Sequence, residues 1–206
     1  MTIKEFFLNK FIARITFTSI KYFFTGREYN LTDEQRDKIE ELLDQENLVI
    51  LTWRSTHFTS YLISIANLLL TGKLGKWSHA CMNMEYISRG RSELKIFEAV
   101  GKGVVKSRFE DVFNCDRVCL LRVKNINQEL VSESIKTYLE SLIGRKYDDN
   151  FNMNDDKKVS CVELVYWALY KNGFKLSALM DMIIKYKNLT PQMYYDCRDF
   201  EIVYEC

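Results

Sequence analysis

The residue best placed to act as a nucleophile is Cys161, because it lies at the predicted start of a helix. Ser160 followed by Glu163 has the S-x-x-E form of a capping box, apolar residues then recur at helical spacing, and Gly173 ends the pattern. At the first helical position, unpaired backbone N–H groups and the positive end of the helix dipole favour a thiolate, the form of cysteine that attacks carbonyl carbon. The alternative is a buried structural cysteine on an amphipathic helix, so a catalytic role needs partners elsewhere in the chain.

Two predicted strands upstream carry the side chains that could serve this thiol. Residues 77–86 alternate as a strand that contains His79, and residues 94–100 form a returning strand that contains Glu98. A thiol needs an imidazole to hold it as a thiolate and to protonate the leaving group, and the imidazole needs an acceptor that fixes its tautomer. The alternative for His79 is a histidine buried in the core, and the alternative for Glu98 is a buried acid paired with an arginine. His57, the other histidine of the chain, is a rival base in a predicted loop.

The distance between the two side chains depends on the turn that joins their strands. A two-residue turn centred on Ser88 and Arg89 would place Glu98 directly opposite His79. A turn centred on Arg89 and Gly90 would leave the pair diagonal on the same face, about 7–8 Å apart. Either register brings a carboxylate within reach of the imidazole, whereas an odd-length loop would separate them.

The elements that must position these residues follow from capping signals and apolar periodicity. Thr32 and Gln35 form a second capping box, and Gly144 ends another helical pattern. Residues 101–105 are predicted as a turn, because two glycines occur there without a phosphate-loop pattern. The remaining predictions are helices at about 33–44, 59–70 and 127–143 and strands at 48–53, 118–123 and 199–204.

Composition excludes several classes of function. The chain has 206 residues with 29 basic and 28 acidic side chains, so its net charge of +1 gives no signature of a nucleic-acid-binding protein. Its six cysteines are scattered and are interpreted as reduced thiols. Cys115 and Cys119 have a C-x-x-x-C spacing that zinc sites use, but no second pair of Cys or His follows. We therefore expect no metal and no cofactor.

The first 29 residues are rich in Phe, Ile and basic side chains. Glu5, Lys10 and Arg14 interrupt every apolar stretch that could form a secretory signal, and the chain has no apolar run of membrane-spanning length. These features predict a cytoplasmic protein. Five basic against two acidic residues give residues 1–29 a net charge of +3. We expect a helix packed on the domain, with peripheral membrane contact through residues 1–29 as the alternative.

Four stretches in a fixed order resemble a known superfamily. They are Trp77-Ser78-His79-Ala80, Phe97-Glu98-Ala99, Gly144-Arg145-Lys146-Tyr147-Asp148 and Cys161-Val162-Glu163-Leu164-Val165. Together they resemble the circularly permuted papain-like hydrolases of the NlpC superfamily, the YiiX-like group in particular, whose members show a W-S-H strand, an E-A strand, a G-x-x-Y-D loop and a C-S-E-L-V helix. The resemblance covers roughly residues 47–204.

The resemblance implies a role for each of these residues. Cys161 would be the nucleophile, His79 the base and Glu98 the orienting residue, in an order in which histidine precedes cysteine. Tyr147 and Asp148 would line the substrate cleft, although a tight turn before the helix explains them equally well. One donor to the oxyanion would be the backbone N–H of Cys161.

The implied fold is α+β, with an antiparallel sheet packed against the nucleophile helix. Residues 47–206 would form a permuted papain-like hydrolase domain, and residues 1–46 a helical N-terminal extension. The implied activity is that of a cysteine hydrolase that cleaves an amide or peptide-type acyl bond of a peptide-like or acylated small substrate through a thioester. The alternatives are acyltransferase or thioesterase activity, as in the lecithin-retinol acyltransferase-like branch, and a non-catalytic module that binds peptide or lipid. Val162 replaces the family's serine, and we expect it to change packing only.

Overall fold

The computed structural model describes residues 31–84, 95–124, 132–151, 153 and 157–206. The predicted basic segment at 1–29 and the predicted turn at 88–90 lie outside these residues. In chain order the elements are α1 (Asp33–Gln45), β1 (Val49–Trp53), α2 (Phe58–Thr71), β2 (His79–Asn83), β3 (Lys95–Val100), β4 (Gly103–Arg108), α3 (Phe109–Val112), β5 (Arg117–Val123), α4 (Ser132–Leu142), α5 (Cys161–Lys171), α6 (Ser177–Tyr186), α7 (Pro191–Asp196) and β6 (Phe200–Glu205).

The strands form one six-stranded sheet in the order β4-β3-β2-β1-β5-β6. Every neighbouring pair is antiparallel, as predicted. None of the helices in the described part of the chain is long and apolar enough to cross a bilayer.

The sheet separates two hydrophobic clusters because its strands alternate. On β1, Val49 and Leu51 belong to the cluster that contains α5, while Ile50 points into the opposite cluster with α1 and α3. Cys119 lies in the first cluster and Cys115 in the second. The two cysteines of the C-x-x-x-C spacing therefore contribute to different cores and do not share a metal site.

The local signals at helix ends predicted the structure well. At α1, the Thr32 side chain accepts a hydrogen bond from the Gln35 N–H at 3.2 Å, and the Gln35 side chain accepts one from the Thr32 N–H at 2.8 Å. At α5 the helix begins at Cys161 and Gly173 follows its end with a φ of +86°.

The prediction of a turn through residue 105 was wrong, because β4 begins at Gly103. Gly103 has a φ of +108°, which favours glycine, and its position against the backbone of Arg145 leaves no room for a Cβ atom. The Val104 N–H donates to the Arg145 carbonyl at 2.9 Å, and the Gly144 N–H donates to the Val104 carbonyl at 2.9 Å. Glycine is required at position 103 by this close contact, but in the sequence it suggested a turn, and so β4 was missed. Helices α6 and α7 were not predicted either.

Buried Asn83 fastens the end of α1 to the sheet. Its Oδ1 accepts a hydrogen bond from the Leu48 N–H at 2.7 Å, and its Nδ2 donates to the carbonyls of Leu43 and Glu46 at 2.9 and 3.0 Å. One side chain thereby pairs three backbone groups at the junction of α1 and β1. Unpaired groups of this kind are costly in a protein interior.

We predict that Asn83→Leu lowers the free energy of unfolding by about 3 kcal/mol, because three backbone groups at Leu48, Leu43 and Glu46 lose their partner. Urea denaturation measures the change. The control is Asn150→Leu, at an exposed position, which should alter stability by less than about 0.5 kcal/mol. Equal effects of the two substitutions would refute this role of Asn83.

Candidate active site

The N-terminus of α5 holds Cys161 in a fixed place. The Ser160 N–H donates to the Glu163 carboxylate at 2.7 Å, and the Glu163 N–H donates to the Ser160 hydroxyl at 3.4 Å. Both capping residues are buried, and only 3% of Cys161 is exposed. The helix therefore cannot fray at its first turn without breaking buried hydrogen bonds, and the thiol lies at the positive end of the helix dipole.

Strands β2 and β3 bring His79 and Glu98 together in the diagonal register. Their ladder pairs Met82 with Phe97 and Asn83 with Ile96, which is the alignment expected from the turn centred on residues 89 and 90. The His79 Nε2 lies 2.8 Å from the Glu98 Oε2. Because Nε2 contacts the carboxylate, Nδ1 is the nitrogen left for the thiol.

The thiol lies where the ladder between β2 and β3 stops. Among residues 79–84 and 95–100, which the structure describes, pairing of β2 with β3 covers Met82–Phe97 and Asn83–Ile96, although both strands continue past these pairs. Beyond them, the Ala80 N–H donates a hydrogen bond to the sulfur of Cys161. A residue of α5 therefore contacts the backbone of β2 directly at a position where β2 is not paired with β3.

The electrostatics of the site favour a thiolate beside an imidazolium. Burial alone would raise the pKa of Cys161, but the hydrogen bond and charge of His79 outweigh it, helped by the Ala80 N–H and the Tyr147 hydroxyl, so this pKa lies below its ordinary value. Burial would lower the pKa of His79, but its hydrogen bonds, chiefly with Cys161, raise that pKa well above 6.5. Both shifts favour a proton on the imidazole and a thiolate on Cys161.

Glu98 stays ionised although it is buried. Burial raises its pKa, but the hydrogen bond and charge of His79 outweigh burial, and Ser107 and Arg54 contribute further, so the pKa falls to about 2. The Ser107 hydroxyl donates to Oε1, the oxygen that His79 does not use. Arg54 is fixed by three hydrogen bonds to backbone carbonyls, those of Asp111, Val112 and Asn114 at 2.9 to 3.0 Å.

A cavity of about 310 Å³ opens onto Cys161 and His79. Its wall combines charged and polar side chains with a few apolar ones, from Arg54, His57, Thr59, Ser60, Ile63, Ser78, Ala99, Val100, Gly101, Tyr147, Asp149 and Phe151. His57, the rival base, precedes α2 at this wall, whereas the imidazole that bonds the thiol belongs to His79.

The two residues predicted to line the cleft occupy different environments. Tyr147 lines the cavity, and its hydroxyl bonds the Cys161 sulfur. Asp148 is 0% exposed, and its carboxylate accepts the Asn150 N–H at 3.0 Å. Asp149, and not Asp148, therefore lines the cavity.

A second, smaller pocket of about 30 Å³, which we call the apolar slot, meets the cavity at Cys161. Its walls come mainly from α2 and from the segment before α7, with Ile63, Ala66, Leu70, Phe151, Val162, Asn188, Leu189, Thr190 and Pro191. Val162, the departure from the family pattern, therefore contributes an apolar wall beside Cys161.

Sequence reasoning missed Ser107, Arg54 and Asp149. Ser107 could be found only if β4 were recognised, because it then shares a face with Glu98 across the strand pair. Within the described residues, no group of three or more His, Cys, Asp or Glu side chains could hold a metal ion.

Comparisons with known proteins identify the family and the fold of this chain. Residues 55–204 match the family described as permuted papain-like amidase enzymes, YaeF/YiiX, C92 family. A crystal structure described as the metalloprotein yiiX from Escherichia coli O157:H7 is similar in fold, with a TM-score of 0.57 and 19% identity over 78% of this chain and 97% of that chain. A comparison with curated proteins finds no match. Because the family match covers most of the sequence, this chain belongs to the YaeF/YiiX, or C92, family of permuted papain-like amidases.

Proposed function

We propose that the protein cleaves an amide or peptide-type acyl bond through a thioester on Cys161, with His79 as general base and acid and Glu98 as the orienting residue. The observation that carries this proposal is the buried imidazole of His79, whose Nε2 lies 2.8 Å from the Glu98 carboxylate and which also interacts with the Cys161 thiol.

The reaction follows from the protonation state of this pair. The Cys161 thiolate attacks the carbonyl carbon, and the carbonyl electrons move to oxygen. As the tetrahedral intermediate collapses, the His79 imidazolium gives its proton to the leaving amine, which departs and leaves a thioester. The neutral imidazole then takes a proton from water, whose oxygen attacks the thioester. Collapse releases the carboxylic acid and regenerates the thiolate beside the imidazolium.

Two donors are available for the negative oxygen of the tetrahedral intermediate. One is the Cys161 N–H at the first turn of α5. The other is the Tyr147 hydroxyl, which already contacts the sulfur. Burial and the nearby Cys161 charge raise the pKa of Tyr147 well above 10, so the phenol keeps its proton and remains a donor.

The charged residues of the cavity wall indicate the class of substrate that fits it. Its wall presents a cation at Arg54 and a carboxylate at Asp149, which suits a small peptide-like substrate that carries both charges. Apolar side chains beside Cys161, those of Ile63, Leu70 and Val162, support the second candidate, transfer or hydrolysis of a lipid-type acyl group. The slot of about 30 Å³ between them has room only for a very small group, so the rest of an acyl chain would lie outside it. A non-catalytic binding module is the third candidate, and the reactivity of the thiol distinguishes it from both enzymes.

We predict that iodoacetamide alkylates Cys161 rapidly at pH 7, because its pKa lies below the ordinary value of 9.0. His79→Ala removes the charge that lowers this pKa and leaves burial, which raises it. The pH profile should then move to 9.0 or above, and the rate at pH 7 should fall by about tenfold or more. Glu98→Gln should give a smaller shift in the same direction. Site-specific mass spectrometry measures each rate.

The control for this experiment is His57→Ala, which removes the other cavity histidine and should leave the alkylation profile of Cys161 unchanged. A profile that moves with His57 and not with His79 would reverse the assignment of the base. A wild-type profile centred at or above 9.0 would favour the non-catalytic module.

We also predict that Tyr147→Phe slows acylation by p-nitrophenyl acetate by about 10²-fold, because a donor to the oxyanion is lost. Alkylation by iodoacetamide forms no oxyanion, so its rate should change by less than about threefold. Burst kinetics of nitrophenol release measure the first rate. Tyr138→Phe, at a partly buried tyrosine outside the cavity, should change neither. Equal losses in both reactions would show that Tyr147 only supports the thiolate.

A further inference from the structure

Helix α2 buries polar side chains and exposes apolar ones, which is the opposite of an ordinary surface helix. Its buried side chains include Ser60, Ser64 and Asn67, which are polar. The Ser60 and Ser78 hydroxyls lie 2.9 Å apart, and the Ser64 hydroxyl donates to the Gly75 carbonyl at 2.6 Å.

Asn67 completes the polar attachment of this helix. Its Nδ2 donates to the Lys73 carbonyl at 2.8 Å, and its Oδ1 accepts from the Thr190 hydroxyl at 2.6 Å. Helix α2 is therefore anchored to the domain largely by hydrogen bonds, and its apolar side chains are not all used for packing.

The opposite face of α2 is apolar and exposed. Phe58, Tyr61, Ile65, Leu68 and Leu69 recur at helical spacing and are 39% to 50% exposed. Leu74, just after the helix, is 63% exposed. A continuous row of large apolar side chains of this kind is characteristic of a binding surface.

Every charged residue of the segment that carries this row is positive. The chain has no Asp or Glu between Glu46 and Glu85, and α2 itself has no charged residue. Lys73 and Lys76 follow the helix and are exposed. An apolar face with lysines at its edge complements an anionic lipid surface, and 14 residues are too few to span a bilayer.

The same charges argue against the other occupants of this face. Residues 1–30 have a net charge of +3, and a second copy of the chain would bring the same lysines, so both would place like charges together. An anionic bilayer attracts the positive rim and accepts the apolar row.

We propose that the outward face of α2 docks this protein onto an anionic membrane surface, with Lys73 and Lys76 at the lipid headgroups. The adjacent face of the same helix carries Ile63, Ala66 and Leu70 to the apolar slot at Cys161. Docking thus brings the nucleophile close to the lipid phase, where an acylated substrate is concentrated. The docking itself does not depend on the proposed hydrolase activity.

The test is flotation of the full-length protein with vesicles of phosphatidylcholine containing phosphatidylserine. Ile65→Gln combined with Leu68→Gln removes two exposed apolar side chains without adding charge, and should weaken vesicle binding by about tenfold. The matched control is Ile143→Gln combined with Ile202→Gln, at positions 46% and 45% exposed outside α2, which should bind as the wild type does. Added salt, or vesicles of phosphatidylcholine alone, should weaken binding of the wild type.

Two results would overturn the proposal. One is equal vesicle binding by both double variants and the wild type. The other is a change in sedimentation coefficient of the Ile65→Gln/Leu68→Gln variant without a change in vesicle binding, which would identify the face as a contact between copies. Alkylation of Cys161 at the wild-type rate shows that each variant is folded, and it is independent of whether the hydrolase proposal holds.

Discussion

The buried contact between Glu98 and His79 is the interaction on which the site depends. A thiolate in a protein interior is unfavourable unless a positive charge lies next to it, and a buried imidazolium is unfavourable unless a carboxylate balances it. Glu98 in turn needs donors for both oxygens, which His79 and Ser107 supply. Three adjacent strands, β2, β3 and β4, therefore contribute to the charge state of one sulfur on α5.

This dependence explains why the sheet and the helix meet as they do. If the ladder between β2 and β3 continued to the ends of both strands, the Ala80 N–H would be less accessible to Cys161. Its early stop lets α5 approach, while the capping box of Ser160 and Glu163 keeps the first turn intact at the point of contact. Cys161 lies at the helix end, and the interior strand β2 contributes both the His79 imidazole and the Ala80 N–H that contact it.

Features encoded locally were predictable from the sequence. The capping box at Ser160 fixes a helix start within four residues, and the alternation of β2 places His79 on a definite face. Helix α5, strand β2, the antiparallel sheet and the family were therefore predicted correctly, whereas β4 was not. The register of Glu98 was left as two alternatives, because it depends on a turn whose type the residues do not determine. Ser107 was missed since Gly103, selected by contact with a distant backbone, resembles a loop residue. Asp148 and Asp149 are adjacent in a loop, and only tertiary packing decides which carboxylate faces the cavity.

Helix α2 was predicted from the sequence, but the face that it buries was not. Its periodicity predicted a helix at 59–70, close to the observed Phe58–Thr71, but periodicity does not say which stripe is buried. The apolar row would ordinarily be assigned to the core. Here Ser64 bonds to Gly75 across the loop that follows α2, and Asn67 bonds to Thr190, which is distant in the sequence. These hydrogen bonds satisfy the polar side of the helix in the protein interior. The exposed apolar row is therefore a consequence of satisfied polar groups beneath it, and the same helix that lines the cavity at Cys161 and His79 presents apolar side chains outward.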